Sequence, residues 1–536
     1  MQSEATTQVL IVGGGTGGVA AALAAARRGG RCIITEPTDW IGGQLTSQAV
    51  PPDENRWIEG AQGVQSATRS YLEFRRRVRQ WYRQHRALND AARNDPHLNP
   101  GNGWVSRLCC EPRIAHAVLQ EMLAPFLAEG RITILLHHQP IAADVTGDRV
   151  RSVTFRNTQS AQTVTIRADY FLDASELGDL YPLAGVEYMA GAEGRDDFGE
   201  MHATTRDPRD FQAISWCFAI EHRPGENHVI DRPARYEFWR NYIPPLDHPW
   251  PGRLFSWTVC GTEDHQPRTF RFIPWPDEPS PGEWEMWRYR RIVDRSIYRP
   301  EAQPLHPDVC LVNMVQMDYF QRPIIDVPEE QKQLALAEAR EQSLCLLYWM
   351  QTEDPGLRGL KLRGEELGTS DGFAKAPYIR EARRLRARTI ITEAHVGLEQ
   401  RAPLDSAEPF ADSVGIGHYR LDLHPSTGMR IGFYVRTAPF RIPMGALIPQ
   451  RVRNVLAAGK ALGVTHITNG CYRLHPIEWN IGESAGALAV HCLEHHTEPH
   501  AVHDNIDRIR QFQKSLIAEG FPLAWPWEHG AGLCSA

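Results

Sequence analysis

The stretch Val9–Gly18 (VLIVGGGTGG) constrains this chain more than any other. An apolar run, Gln8–Val12, stops abruptly at glycines, and a segment rich in alanine, Thr16–Arg28, follows. The first reads as a buried strand and the second as a closely packed helix. Arg31–Thr35 (RCIIT) reads as a second buried strand, so the first 36 residues are expected to fold as β-α-β. Within that unit the glycines have the spacing Gly13-x-Gly15-x-x-Gly18. Gly13 permits the tight turn, Gly15 lets a pyrophosphate approach the backbone, and Gly18 lets helix and strand pack closely. The phosphates would meet free N–H groups at the positive end of the helix. Glu36 closes the second strand, where a carboxylate accepts hydrogen bonds from ribose hydroxyls and repels a 2′-phosphate. Strand, helix, strand and terminal acid in register predict a dinucleotide site. A plain glycine-rich turn is the alternative.

Other classes of chemistry lack their signatures. The chain has no G-x-S-x-G, H-E-x-x-H or G-x-x-x-x-G-K-[ST] motif. Its ten cysteines form no C-x-x-C, which argues against a zinc site, a disulfide framework or a dithiol flavoenzyme and predicts no metal. A reducing, cytoplasmic setting is the expectation. Net charge is −7 with the two signs interspersed, which disfavours nucleic acid or an anionic membrane as partner. The arginine-rich run Arg380–Arg388 (REARRLRAR) is the exception, and it reads as one solvated face of a helix over Tyr378–Thr392. Residues 9–26 hold five glycines and have no charged flank before them, so no targeting or membrane segment is expected there.

A chain of 536 residues accommodates two or three domains. Residues 50–105 look like a polar insertion carrying a helix near Ser66–His85. Pro112–Glu129 is an amphipathic helix. Val150–Phe155 and Thr163–Ile166 form a hairpin, and Ala168–Ala174 a further buried strand. Residues 190–310, dense in Trp, Pro and Arg, are expected to be β-rich, with Trp239–Trp287 either a pocket wall or core. Glu329–Met350 is a long helix, Asn454–Ala458 a strand ending at Gly459, and Ile481–His495 a helix opened by Gly482-Glu-Ser-Ala-Gly486.

Two segments point to FAD rather than NAD. Trp40-Ile-Gly-Gly-Gln-Leu-Thr46 suits backbone passing close to a cofactor, and a late strand and helix returning to the first βαβ unit would cover an extended FAD. A helix N-terminus there would stabilise negative charge on a reduced flavin. Seven segments then carry a resemblance: Val12–Val19, Glu36–Thr46, Asp173–Gly185, Pro377–Leu385, Asp412–Ser426, Ile442–Gly463 and Cys471–Ala489. In this order they resemble FAD-dependent oxidoreductases of the glutathione-reductase-type flavoprotein superfamily, and more closely a bacterial group of FAD-dependent oxidoreductases. The resemblance implies an α/β fold in which a Rossmann-like FAD-binding domain (residues 1–190 and 430–500) carries an inserted β-rich substrate domain (191–429), with 501–536 as a C-terminal extension. It implies FAD held by Gly13, Gly15, Gly18 and Glu36 around the ADP half and by Gly43 and Gln44 at the second segment. Gly459 would lie near the ribityl chain, and Glu483 with Ser484 near the ring. Many relatives continue AGR or AGD where this chain has Gly459-Lys460.

A flavin carries the redox chemistry itself, so the protein must supply orientation and a proton acceptor. The loops beside the C-terminal flavin segment offer His466, Asn469, Arg473, His475 and Trp479. Arg473 would hold a carboxylate substrate or raise the flavin potential, and His475 would take a proton at neutral pH. Asp318 and Tyr319 form a second candidate pair in an otherwise apolar stretch. Each of these competes with a purely structural role. The expected reaction is dehydrogenation or oxidation of a small organic substrate by hydride transfer to flavin N5, with electrons passed to oxygen or a carrier. A flavin monooxygenase using NAD(P)H and oxygen, an RNA-modifying flavoprotein and a non-catalytic FAD-fold protein are the alternatives.

Overall fold

A computed structural model describes residues 2–272 and 284–529. Residues 273–283 of the aromatic Trp239–Trp287 stretch and residues 530–536 of the C-terminal extension lie outside them. The chain opens with β1 (Gln2–Val12), α1 (Thr16–Arg27) and β2 (Cys32–Glu36). β1 and β2 pair in parallel from Val9–Cys32 to Val12–Thr35, so both strands end together beside the glycines. α1 presents small side chains to the sheet and is buried from Thr16 to Ala26.

Two helices of the next segment, α2 (Arg69–His85) and α3 (Pro112–Ala128), precede β3 (Ile132–Leu136). Thr68 starts α2 by accepting the Tyr71 N–H through its hydroxyl. The 50–105 region carries the expected helix, and some of its charged residues are interior. Arg75 and Arg79 are buried on α2 against Glu54 and Glu59, and the pairs Arg75–Glu54 and Arg79–Glu59 stand at 2.8 and 2.5 Å.

β4 (His138–Thr146), β5 (Arg149–Asn157) and β6 (Thr163–Asp173) run as an antiparallel meander. The expected hairpin is present, and its second strand and Ala168–Ala174 are one continuous β6. That strand then pairs in parallel with β1 as far as Val12–Asp173. The main sheet has the order β3-β2-β1-β6-β5-β4, mixing parallel and antiparallel pairs.

A second, four-stranded antiparallel sheet comes from β7 (Phe218–His222), β8 (Arg291–Val293), β9 (Val309–Val312) and β10 (Leu360–Leu362), in the order β8-β9-β7-β10. The 25-residue helix α4 (Glu329–Glu353) shares a core with it, in which Trp239 and Trp287 are buried. The late strand β11 (Val455–Ala457) joins the main sheet beside β6, and α5 (His466–Tyr472) and α6 (His475–Glu494) follow.

Two expectations are corrected. Tyr378–Thr392 is not a helix: apart from the short strand Arg384–Leu385, paired with Tyr188–Met189, it is irregular. Nor is its arginine run a solvated face, because Arg380 and Arg384 are among the most deeply buried side chains. Arg384 is held by Glu193 and Glu381, and Arg380 by Asp318 at 3.0 Å. The last long helix also starts earlier than read. It opens at His475 with Pro476 in its first turn, where a missing N–H costs nothing.

Candidate functional site

The motif glycines fall into two kinds. A Cβ on Gly18 would run into the Gly13 carbonyl, and one on Gly17 into that of Ala458. These positions let α1 lie against the sheet and β11. Gly13 has φ +100° and makes the turn. Gly15 and Gly459 differ, since a Cβ on either would meet side-chain ends first, Glu176 at 2.9 Å and Glu478 at 3.1 Å. Gly43, at φ +53°, presses its backbone against Gly15 and Thr16.

The first turn of α1 has no side-chain cap, which leaves backbone donors aimed at this cleft. Glu36 stands at the end of β2, buried, and accepts from the Gly14 N–H at 3.1 Å and the Thr38 N–H at 2.9 Å. Burial pushes its carboxyl up to about 7. Asp173 at the end of β6 ties down the following loop, accepting from the Ser175 and Leu180 N–H groups at 3.0 Å each. That loop carries Glu176, which pairs with buried Lys460. The Lys460 ammonium also donates to the Ile379 carbonyl at 2.9 Å. Gln44 is buried, donating to the Arg473 carbonyl at 3.0 Å and to Glu478, with its own Oε1 unpaired. Glycines that open a cradle, uncapped helix donors and an orphaned amide oxygen suit a pyrophosphate running into a polar ring system.

Glu483 and Ser484 sit elsewhere, well inside α6. Glu483 meets Ser70 and Arg27, and Ser484 donates to the Val414 carbonyl at 3.1 Å. The N-terminal turn of α6, nearest Gly459 and Gln44, belongs to His475–Glu478 instead. Sequence reading misplaced the helix start and with it the residues at its positive end.

Beside this cleft lies a cavity of about 460 Å³. Asp53, Tyr378 and Arg473 line it from the side of the main sheet, and Tyr289, Arg290, Asn313 and Met314 from the side of the second core. Tyr419, Asp422, His424 and Tyr434 close it. Arg473 is the one catalytic candidate from the sequence that reaches this wall. Its guanidinium donates to Tyr378 Oη at 2.6 Å and to Asp422 at 3.1 Å. Burial opposes ionisation of Asp422, but His424 and Arg473 hold its carboxyl down at about 2. Asp318 stands one layer behind, shared between Arg380 and the His424 ring, whose Nδ1 is 2.6 Å away.

The other candidates are turned away. Tyr319 bonds Glu338 in the second core. His466 faces Glu381 at 3.0 Å, within the Arg384 network. Asn469 accepts from Gln212 at 3.3 Å, and Trp479 donates to Ser70 at 2.7 Å. His475 cannot serve as the expected base. Its Nδ1 accepts the Asp53 N–H at 3.1 Å, so its Nε2–H points to the Val50 carbonyl at 3.2 Å, and burial pushes its pKa down to about 3.

Sequence reading missed Asp53 and Arg290. Asp53 is 9% exposed and faces the cavity, and its carboxylate has no hydrogen-bond or ion-pair partner among the described residues. Burial raises its pKa against the pull of Arg290. A lone acid between Pro52 and Glu54 carries no local signal that would have singled it out. Among the described residues no cluster of His, Cys, Asp and Glu is suited to a metal.

Comparison with solved structures finds flavoproteins at low similarity. A flavocytochrome c3 fumarate reductase in its open conformation is 20% identical over 32% of this chain and 33% of its own, with a TM-score of 0.21. The chain therefore spans about a third of that relative. A myxobacterial chondrochloren halogenase is 13% identical over 41% of this chain and 45% of its own, with a TM-score of 0.22. A geranylgeranyl bacteriochlorophyll reductase-like protein from Thermoplasma acidophilum is 10% identical over 97% of this chain and 85% of its own, with a TM-score of 0.31. No curated protein matches the chain. The model of the family described as FAD dependent oxidoreductase matches residues 8–516, from the first strand into the helix Ile506–Ala518. With a dinucleotide cradle at one end of the main sheet and a cavity beside it, the chain belongs to the FAD-dependent oxidoreductase family, and FAD is its cofactor.

Proposed function

We propose that this enzyme oxidises a small organic substrate in the 460 Å³ cavity, its hydride passing to flavin N5 and its proton to Asp53. The observation that carries this reading is Asp53, a buried carboxylate facing the cavity without a partner. Bound FAD supplies a two-electron oxidant. Gly13, Gly15 and Gly18 with the uncapped start of α1 would hold its pyrophosphate, and Glu36 its ribose. Gly43, Gln44, Gly459 and the first turn of α6 would hold the part that leads to the ring. Glu483 and Ser484 contribute by seating that helix.

Of the two cavity carboxylates, Asp53 is the better base. Asp422 is already satisfied by Arg473 and His424, whereas burial increases the proton affinity of Asp53. His475 is a positioning residue that fixes the Asp53 backbone. The architecture is read as the glutathione-reductase type, with a nucleotide-binding unit (1–190 and 430–500) and a β-rich unit (191–429) walling the substrate. Electrons leave to oxygen or a carrier, without nucleic acid or membrane as partner. The nine cysteines of the described residues are all free and buried, which fits a reducing, cytoplasmic setting.

An anaerobic screen of small acids, amines and alcohols tests the reading. At least one is expected to bleach the flavin with no NAD(P)H present. Bleaching by NADH or NADPH alone would replace it with the monooxygenase reading.

A further inference from the structure

The arginines of the cavity wall are not equivalent. Arg380 is bound by Asp318 at 3.0 Å, by Ser215 Oγ at 2.9 Å and by the Ala213 carbonyl at 2.8 Å. Arg473 is bound by Tyr378 and by both the carbonyl and the carboxylate of Asp422. Each has its own acid. Arg290 has none: no carboxylate among the described residues lies within ion-pair distance of it. Of its five N–H donors one goes to the Asn313 carbonyl, at 2.9 Å, and its buried Nε is unpaired. Its guanidinium carbon lies 4.7 Å from the centre of the Tyr289 ring, a contact that uses none of its N–H donors.

A half-buried cation with no carboxylate in direct contact gains from an anion that reaches it. The cavity that Arg290 lines can admit one. We infer that the substrate is a small monocarboxylic acid whose carboxylate pairs with the edge of Arg290. The inference rests on the proposed oxidation and names the substrate class for it. A planar carboxylate matches a guanidinium edge through two parallel hydrogen bonds. Asp53 already shares the field of Arg290, so a monoanion meets less repulsion there than a dianionic phosphate. The volume admits a small organic molecule. The arrangement also helps the chemistry, because a substrate carboxylate near Asp53 raises that residue's proton affinity further. The substrate H–C–X–H, with X oxygen or nitrogen, becomes C=X. The C–H bond leaves as hydride with both electrons to the flavin, and the X–H proton goes to the Asp53 carboxylate.

Benzoate, benzamide and inorganic phosphate, each titrated into the FAD-loaded enzyme and followed by the flavin visible spectrum, test the assignment without turnover. Saturable binding is expected for benzoate, with benzamide and phosphate weaker by about tenfold or more. Arg290→Met should weaken benzoate by a similar factor of about ten or more, and Arg290→Lys by less. Arg232→Met, which removes an exposed arginine paired with Glu237 and outside the cavity lining, should leave it unchanged. Flavin content and melting temperature report whether each variant is folded, and Arg290→Lys carries the test if Arg290→Met is not. Benzamide binding as tightly as benzoate, tighter phosphate, or unaltered benzoate binding in the Arg290 variants would overturn the inference. Benzoate held through Arg290 while no compound bleaches the flavin would instead defeat the oxidation and leave the anion site standing. Bleaching by neutral amines or alcohols alone, indifferent to Arg290, would do the reverse.

Discussion

Gly15 and Gly18 belong to one motif yet answer to different neighbours, and that separates cofactor binding from folding. A side chain at Gly18 collides with the Gly13 carbonyl, so Gly18→Ala should destabilise the whole protein. A side chain at Gly15 meets only the end of Glu176, which can swing aside, but it fills the cleft before the α1 donors. Gly15→Val is therefore expected to fold and to lose FAD. Purified variant with a melting temperature near that of the flavin-free parent and little flavin fits; full flavin occupancy would refute the assignment. His475 gives a residue-scale prediction in pH. Its native pKa, about 3, lies below the ordinary 6.5, so the unfolded chain binds the proton first. Its contribution is complete above 6.5 and is lost as pH falls towards 3, by roughly 2 kcal/mol between pH 6.5 and 5. His475→Gln keeps an acceptor for Asp53 and a donor for Val50 without the titration. The stability difference between parent and variant, measured by denaturant unfolding, should shift in favour of the variant on acidification. A difference independent of pH would show that His475 does not stay neutral.

At the scale of elements, the contact between α1 and α6 rests on glycine. A Cβ on Gly482 would strike the Gly17 carbonyl, and one on Gly486 the Ala21 carbonyl. The helices cross at backbone contact, and this brings the first turn of α6 over the motif. Gly486→Ala should force them apart and cost about 1–3 kcal/mol of stability, with flavin binding weakened in step. Thermal unfolding of the FAD-free and FAD-loaded forms checks both, and an unchanged melting temperature would mean the crossing tolerates a methyl group. Elements of this kind differ in how far sequence reveals them. β1, α1 and β2 were legible because pairing, packing and glycine spacing lie within 36 residues, and the β5–β6 hairpin because a polar turn separates two alternating runs. Tyr378–Thr392 was misread because its arginines sit at helical density. What decides its course is distant acids, Asp318 and Glu193, which hold Arg380 and Arg384 in the interior. The start of α6 was missed because His475-Pro476 looks like loop until Asp53 and Val50 are seen to bind the imidazole.

Across the whole molecule, the cavity forms where two cores meet, and no single segment advertises it. Asp53 follows the motif by 35 residues, Arg290 comes from the edge of the second sheet, and Asp422 and Arg473 from the last third of the chain. Residues of the Trp239–Trp287 stretch, Val259 and Phe270 among them, help wall it, but of the catalytic candidates from the sequence only Arg473 lines it, and Arg473 is already committed to Asp422 and Tyr378. That leaves Asp53 as the acceptor on which the proposed reaction depends. Asp53→Asn preserves shape and keeps the backbone bond to His475 while removing the base. A positioned base contributes about 10²–10⁴-fold to a rate, so the variant's flavin reduction by substrate should slow by about that factor. Flavin content should stay at the parent level, because Asp53 is outside the glycine cradle. The pH profile decides between a base and a mere strut. In the parent, the reduction rate should rise with pH through a single ionisation that lies above the ordinary carboxylate range, since burial raises it. The residual rate of Asp53→Asn should lack that ionisation. A variant equally slow at every pH relative to the parent would show that Asp53 shapes the cavity without taking the proton, and the search for the base would move to Asp422 and its partner His424.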